Sequence, residues 1–221
     1  MAGALASLHA PAAAQGADHD PQVWSSITAT RTLAGPLDLT LEAHSRYTDG
    51  PSRVGQLLLR PSLTYRLPRG WSASGGYVYV RTRFAGIEAN DEHRLWYQVA
   101  YTFARDHAGG LLLSGRTRLE QRFRPDADGV GWRLRQQLRA QLPLPGAGPA
   151  RALVWNETFV GLNTTAWDQH PGTDQVRTFI GVVLPAAKGI TVEPGYMSQT
   201  IFRLGPDRVN HVLAANIFAR F

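Results

Sequence analysis

The sequence predicts an all-β chain: an antiparallel up-and-down transmembrane β-barrel. Three observations carry that expectation. Polar and apolar residues alternate with a period of two along almost every patterned run, and no run of a dozen residues favours the 3.6 period of a helix. The runs are long, mostly 11 to 14 residues. Globular strands average ~5–6 residues, whereas membrane-spanning strands need ~9–11. Between the runs lie short breaks that hold most of the 22 glycines and 14 prolines.

The elements follow in order. The first run covers 22–33 and ends at Ala34-Gly35-Pro36. In 37–47, Leu37, Leu39, Leu41, Ala43 and Tyr47 oppose Asp38, Thr40, Glu42, His44 and Arg46. In 54–67, Leu57, Leu59, Leu63 and Tyr65 oppose Gln56, Arg60, Thr64 and Arg66. Run 71–82 sets Trp71, Ala73, Tyr77 and Tyr79 against Ser72, Ser74 and Gly76. Run 92–103 sets His93, Leu95, Tyr97, Val99, Tyr101 and Phe103 against Arg94, Trp96, Gln98 and Thr102.

The strongest pattern lies in 111–142, which is LLLSGRTRLEQRF, a break RPDADGVG, then WRLRQQLRAQL. Arg116, Arg118, Glu120 and Arg122 share one face of the first half. Arg133, Arg135, Gln137 and Arg139 share one face of the second. A soluble sandwich turns such a face to water, and a membrane barrel turns it inward around a polar lumen. Four further runs complete the chain: 150–162 with Glu157, 174–184, 190–201 with Glu193, and 209–221.

That makes about eleven runs. Bacterial barrels have an even strand count, so ten to twelve strands are expected, with twelve preferred. The closing NHVLAANIFARF puts Leu213, Ala215, Ile217, Ala219 and Phe221 on one face. A last strand of this kind, ending in Phe221, resembles the signal by which barrel-assembly machinery recognises outer-membrane barrels. A periplasmic C-terminus places Tyr65, Trp71, Phe103 and Phe221 at one membrane edge. Tyr47, Phe123 and Trp132 then lie at the other, giving two aromatic belts.

Residues 1–14 resemble a short export signal with cleavage after Ala14, possessing small residues before the site but no basic residue after Met1. Residues 15–21 are expected as a short periplasmic tail and 22–221 as the barrel. There is no cysteine, which excludes disulfides and cysteine-ligated metals. Net charge is +6, and 22 of the 23 basic residues are arginine, Lys188 being the exception. The arginines are spread over nearly every run, which argues against a nucleic-acid partner. His9, His19, His107 and His170 lack metal-ligand spacing, so no metal or cofactor is expected.

Several stretches together resemble a known family. They are Trp24, LLRPSLTY (58–65), EHRLWYQ (92–98), RTRLEQRF (116–123), NETF (156–159), QVRTFIGV (175–182), EPGYMSQ (193–199) and the closing strand. The set resembles domain of unknown function 2490, over residues 22–221. That resemblance implies an outer-membrane barrel of Gram-negative bacteria among outer-membrane lipids. It implies no substrate and no catalytic residue.

Pairing the runs about their turns sets Glu120 between Arg94 and Arg133, Glu157 opposite Arg135, and Arg118 opposite Arg135, with parity firmer than register. The expected belt is Arg94, Arg116, Arg118, Glu120, Arg133, Arg135, Arg139 and Glu157, with Arg116 and Arg139 left without partners. Twelve inward arginines face six acids. The surplus points to a narrow channel or cavity for small anionic solutes. Two alternatives stand beside it. One is a structural barrel whose Arg/Glu core neutralises itself. The other is an outer-membrane lipid-modifying enzyme, which the spacing disfavours: within the barrel runs no Ser lies two residues from a His, and His44 and Ser45 have opposite parity.

Overall fold

The computed structural model describes residues 17–83, 86, 88–105, 110–167 and 169–221. The export-signal stretch 1–14 lies outside them, as do parts of the loops at 83–91 and 104–110. Eleven strands run in sequence: β1 (Asp18–Ala34), β2 (Leu37–Thr48), β3 (Arg53–Arg66), β4 (Trp71–Thr82), β5 (Asn90–Arg105), β6 (Leu112–Arg124), β7 (Ala127–Pro143), β8 (Arg151–Gly161), β9 (Gly172–Ala187), β10 (Ile190–Ile201) and β11 (Arg208–Arg220). The one helical element described is a 3-10 turn at Pro68–Gly70.

Each strand pairs antiparallel with the next, and β1 closes the barrel against β11. That closing pair is parallel, in register from Asp18↔Arg208 to Thr30↔Arg220. The preferred count of twelve is therefore corrected to eleven. With an odd number of alternating strands, the first and last point the same way, so only a parallel seam can close the ring. Two consequences follow at the N-terminus. Residues 18–21, expected within the tail, are strand and hydrogen-bonded at the seam, as in Asp18 N–H to Asp207 O at 2.8 Å. The start of β1 also sits at the rim of loop 202–207, opposite the rim where Phe221 ends the chain.

Outward positions carry the apolar residues. Ile27, Leu41, Leu59, Tyr97, Leu138, Ile180 and Leu213 are each more than half exposed. Inward positions hold Glu120, Glu157, Arg118 and Arg135, all nearly inaccessible. Apolar outside and charged inside inverts a soluble fold and matches a wall facing lipid. Tyr65, Trp71, Phe103 and Phe221 are exposed at one rim, where Trp71 and Tyr101 lie 5.2 Å apart. Tyr47, Phe123 and Trp132 lie near the other.

Turn chemistry sets the hairpins. At Lys188-Gly189 only two residues join β9 to β10. Gly189 has φ +75°, and a Cβ there would meet Arg220 O at 2.5 Å. A glycine resolves both constraints. The interior is not wholly polar. One apolar cluster holds Leu58, Val78, Val80 and Trp96. A larger one holds Trp24, Leu153, Phe179, Val183, Met197, Val212 and Ala214.

Candidate functional site

Period two delivers the inward charges, and cross-strand register decides which of them meet. Glu120 lies on β6 opposite Arg133, and Arg118 lies opposite Arg135, both as expected. Glu120 accepts from Arg133 Nε and Nη2 at 3.1 and 2.7 Å, and from Arg135 Nη1 at 2.6 Å. Arg118 Nη1 stands 3.9 Å from the same carboxylate, while its Nε and Nη2 donate to Gln98 Oε1. Arg135 also forks onto Glu157 at 2.8 and 2.9 Å. Each acid is thus held by several cations in near-complete burial, the arrangement a buried carboxylate requires.

Two expected pairings are displaced. Arg94 does not reach Glu120; it lies opposite Arg122, and both bind Glu92, with contacts of 2.6 to 3.0 Å. The β5–β6 ladder starts at Arg105↔Leu112, later than a turn centred in 104–110 would set it, and even after the one-residue shift between Thr102 and Ala104 it is Trp96 that stands opposite Glu120. Glu157 lies opposite Gln137, not Arg135. The hairpin there closes at Leu144 N–H to Ala150 O, one residue later than a turn over 143–149, which moves each partner by two. Long side chains still bring Arg135 to Glu157 diagonally. Arg116 and Arg139, expected without partners, both have them. Arg116 Nη2 donates to Glu157 at 3.0 Å, and Arg139 donates to Glu193 at 3.0 and 2.5 Å.

Among the described inward residues, Arg46 and Arg177 are deeply placed arginines held by neutral groups. Arg46 Nη1 donates to Gln56 Oε1 at 2.5 Å. With the Gln175 amide oriented to satisfy both its ends, its oxygen accepts from Arg177 Nη2 at 2.9 Å and Nε at 2.6 Å. Glu157 sits directly across from Arg177 in the ladder, but Arg135 and Arg116 already occupy its oxygens. Both guanidinium carbons lie over the Trp24 ring, at 3.9 and 5.1 Å from its centre.

These groups border a lumenal cavity of about 590 Å³. It extends from Asp49, Arg53 and Arg83 at one rim, past the belt, to Thr28, Glu42 and Arg139. Twelve arginines and five acids line it. Below it, near the other rim, Asp38 accepts from Arg220 and Thr32 at 2.8 Å and from Arg66.

Two arrangements were hidden from the sequence. Ser26 of β1 lies directly opposite His44 of β2, and His44 contacts Glu42. Serine, histidine and acid therefore do meet, across a ladder. The Ser26 hydroxyl donates to Asn216 Oδ1 at 2.7 Å, so the array lacks the nucleophile-to-base hydrogen bond of a hydrolase. The outward His93 hydrogen-bonds Tyr77. The other arrangement is loop 162–171, which folds inside the rim with Trp167 and Gln169 buried. Gln169 Oε1 accepts from Arg122 at 3.2 Å, and its amide donates to Trp132 O at 2.9 Å. Gly131 admits the loop: a Cβ there would meet Trp167 at 2.6 Å. Among the described residues no three His, Cys, Asp or Glu side chains could hold a metal ion.

Comparisons with known proteins bear on the whole barrel. A relative in Methylorubrum extorquens, the uncharacterized protein MexAM1_META1p0181, is 33% identical over 204 residues, covering 91% of this chain and 88% of its own. Among solved structures, an anion-selective porin from Comamonas acidovorans shares 16% identity at a TM-score of 0.41. The match covers 85% of this chain and 54% of the porin, so the chain spans about half the porin's length. A structure from a study of in-meso crystallization of membrane proteins shares 12% identity at a TM-score of 0.38, covering 86% and 72%. The family model described as a protein of unknown function, DUF2490, matches residues 21–210, and the chain belongs to that family.

Proposed function

We propose that the protein is an outer-membrane barrel of Gram-negative bacteria whose lumen takes small anionic solutes, as a narrow channel or a binding cavity, without catalysing a reaction on them. The observation that carries this reading is the cavity wall, with twelve arginines against five acids. A surplus of fixed positive charge within low-dielectric walls concentrates anions and repels cations. The ion pairs around Glu120 and Glu157 are filling that keeps the barrel in shape. The surplus resides elsewhere, above all at Arg46 and Arg177, which amides and aromatic rings hold among the described residues. Exposed Phe221 at the end of β11 suits recognition by barrel-assembly machinery, and the apolar outer wall suits outer-membrane lipid.

The test is conductance across a planar bilayer under a salt gradient. Wild-type protein should give a reversal potential of the sign that marks anion preference. Arg46→Glu and Arg177→Glu together should lower or reverse that preference, because neither change breaks an ion pair. A silent bilayer, combined with no anion retained in equilibrium dialysis, would overturn the proposal.

A further inference from the structure

Resting on that reading, we infer that the lumen holds a binding site for an organic anion with a flat apolar body, its acid group between Arg46 and Arg177 and its body along the aromatic inner wall. Charge alone does not require such a ligand; the construction of the cavity does. Its two sides differ. One side, from β5 to β7, is arginine matched with acid. The other, from β8 to β11 and back to β1, carries Glu157, Arg177 and Glu193 but adds an apolar wall of Phe179, Met197, Ala214 and Trp24, with Trp155 stacked on Phe179 at 5.3 Å and 6°. An inorganic ion has no use for that wall, and a neutral apolar molecule has no use for the arginines.

Arg46 and Arg177 stand where the sides meet. Trp24 belongs to the apolar cluster and also carries both guanidinium groups over its ring. Arg46 Nε is buried without a hydrogen-bond partner among the described residues, and its terminal nitrogen is held by the Gln56 amide alone. Arg177 is held by the Gln175 amide and lies 4.7 Å from the Phe159 ring centre. Each is pre-oriented by a neutral group, so its charge is left for a carboxylate or sulfonate. The volume of about 590 Å³ falls among cavities that enclose a molecule of several rings, ~300–1,000 Å³.

Isothermal titration of the folded barrel in detergent tests this with three probes: 2-naphthoate, its neutral counterpart 2-naphthol, and inorganic phosphate. The inference expects one 2-naphthoate per barrel, with 2-naphthol and phosphate each bound at least tenfold more weakly. Arg46→Gln with Arg177→Gln should weaken 2-naphthoate by roughly tenfold or more, since charge-assisted bonds are lost. The gel shift on heating reports whether the variant has folded. If it has not, the comparison of probes on wild-type protein still decides. Phosphate binding as tightly as 2-naphthoate would remove the apolar half of the site. Equal binding of 2-naphthol would remove the charged half. Anion-selective conductance without 2-naphthoate binding would overturn this inference and leave the anion lumen standing. Loss of both would overturn the two together.

Discussion

Glu120 is the residue on which the belt depends most. It is wholly buried, and its carboxylate faces Arg133, Arg135 and Arg118. Glu120→Gln keeps the shape and removes the one negative charge among three cations. The expected loss is roughly 3 kcal/mol of stability, as when one partner of a buried pair is removed. Urea unfolding of the refolded barrel, followed by tryptophan emission, measures it. Glu193→Gln should cost clearly less, because its partner Arg139 is more accessible. The belt's membership was legible from period two, and parity placed every member inward. Its pairing was legible only where a turn centre could be read. Glu120 with Arg133 follows from the β6–β7 turn. Arg94 with Glu120 fails because the β5–β6 ladder begins at Arg105↔Leu112, later than the centre of 104–110, and no local composition marks that closing point. Arg46 and Arg177 could not be singled out. Being unmatched depends on which acids other arginines have already taken, a property of the closed ring and not of any one strand.

The loop between β8 and β9 is the element that departs most from its sequence appearance. The stretch 163–173 is polar in composition, as an exposed loop would be, yet Trp167 and Gln169 are buried within the rim. Among the contacts that hold it there are Asn163 Nδ2 to Val130 O at 2.8 Å, Gln169 to Trp132 O at 2.9 Å, and Arg122 over the Trp167 ring at 4.9 Å. The trace left in sequence is Gly131, which a turn reading takes as punctuation and the structure uses as clearance. Gly131→Val should therefore unseat the loop while the barrel stays folded. Acrylamide should quench tryptophan emission more strongly in the variant than in wild type. In a Trp167→Phe background that difference should vanish. A variant whose quenching matches wild type would show that the loop does not depend on this clearance. The strands themselves were legible to within a few residues, because alternation and glycine- or proline-rich breaks bound them on both sides.

At the scale of the whole molecule, the ring closes through a parallel seam. Alternation cannot announce that, since it fixes which side chains point outward but not which strand lies next to which. An even count of alternating strands would start the first and end the last at the same rim. Here β1 and β11 run together, with Ser25 beside Ala215 and Ile27 beside Ile217, so β1 starts at one rim and β11 ends at the other. The seam can be tested directly because the chain has no cysteine of its own. Ser25→Cys with Ala215→Cys places two outward side chains on neighbouring strands, in a parallel pair. Disulfides need Cα atoms ~4.4–6.8 Å apart, which adjacent strands provide. Mild oxidation of the folded barrel should link them within one chain, visible as altered migration that reductant reverses. Ser25→Cys with Ile190→Cys, one strand further and near the opposite rim, should remain unlinked under the same oxidation. Linking of the second pair and not the first would mean that β11 does not close the ring against β1, and the eleven-stranded parallel seam would fall.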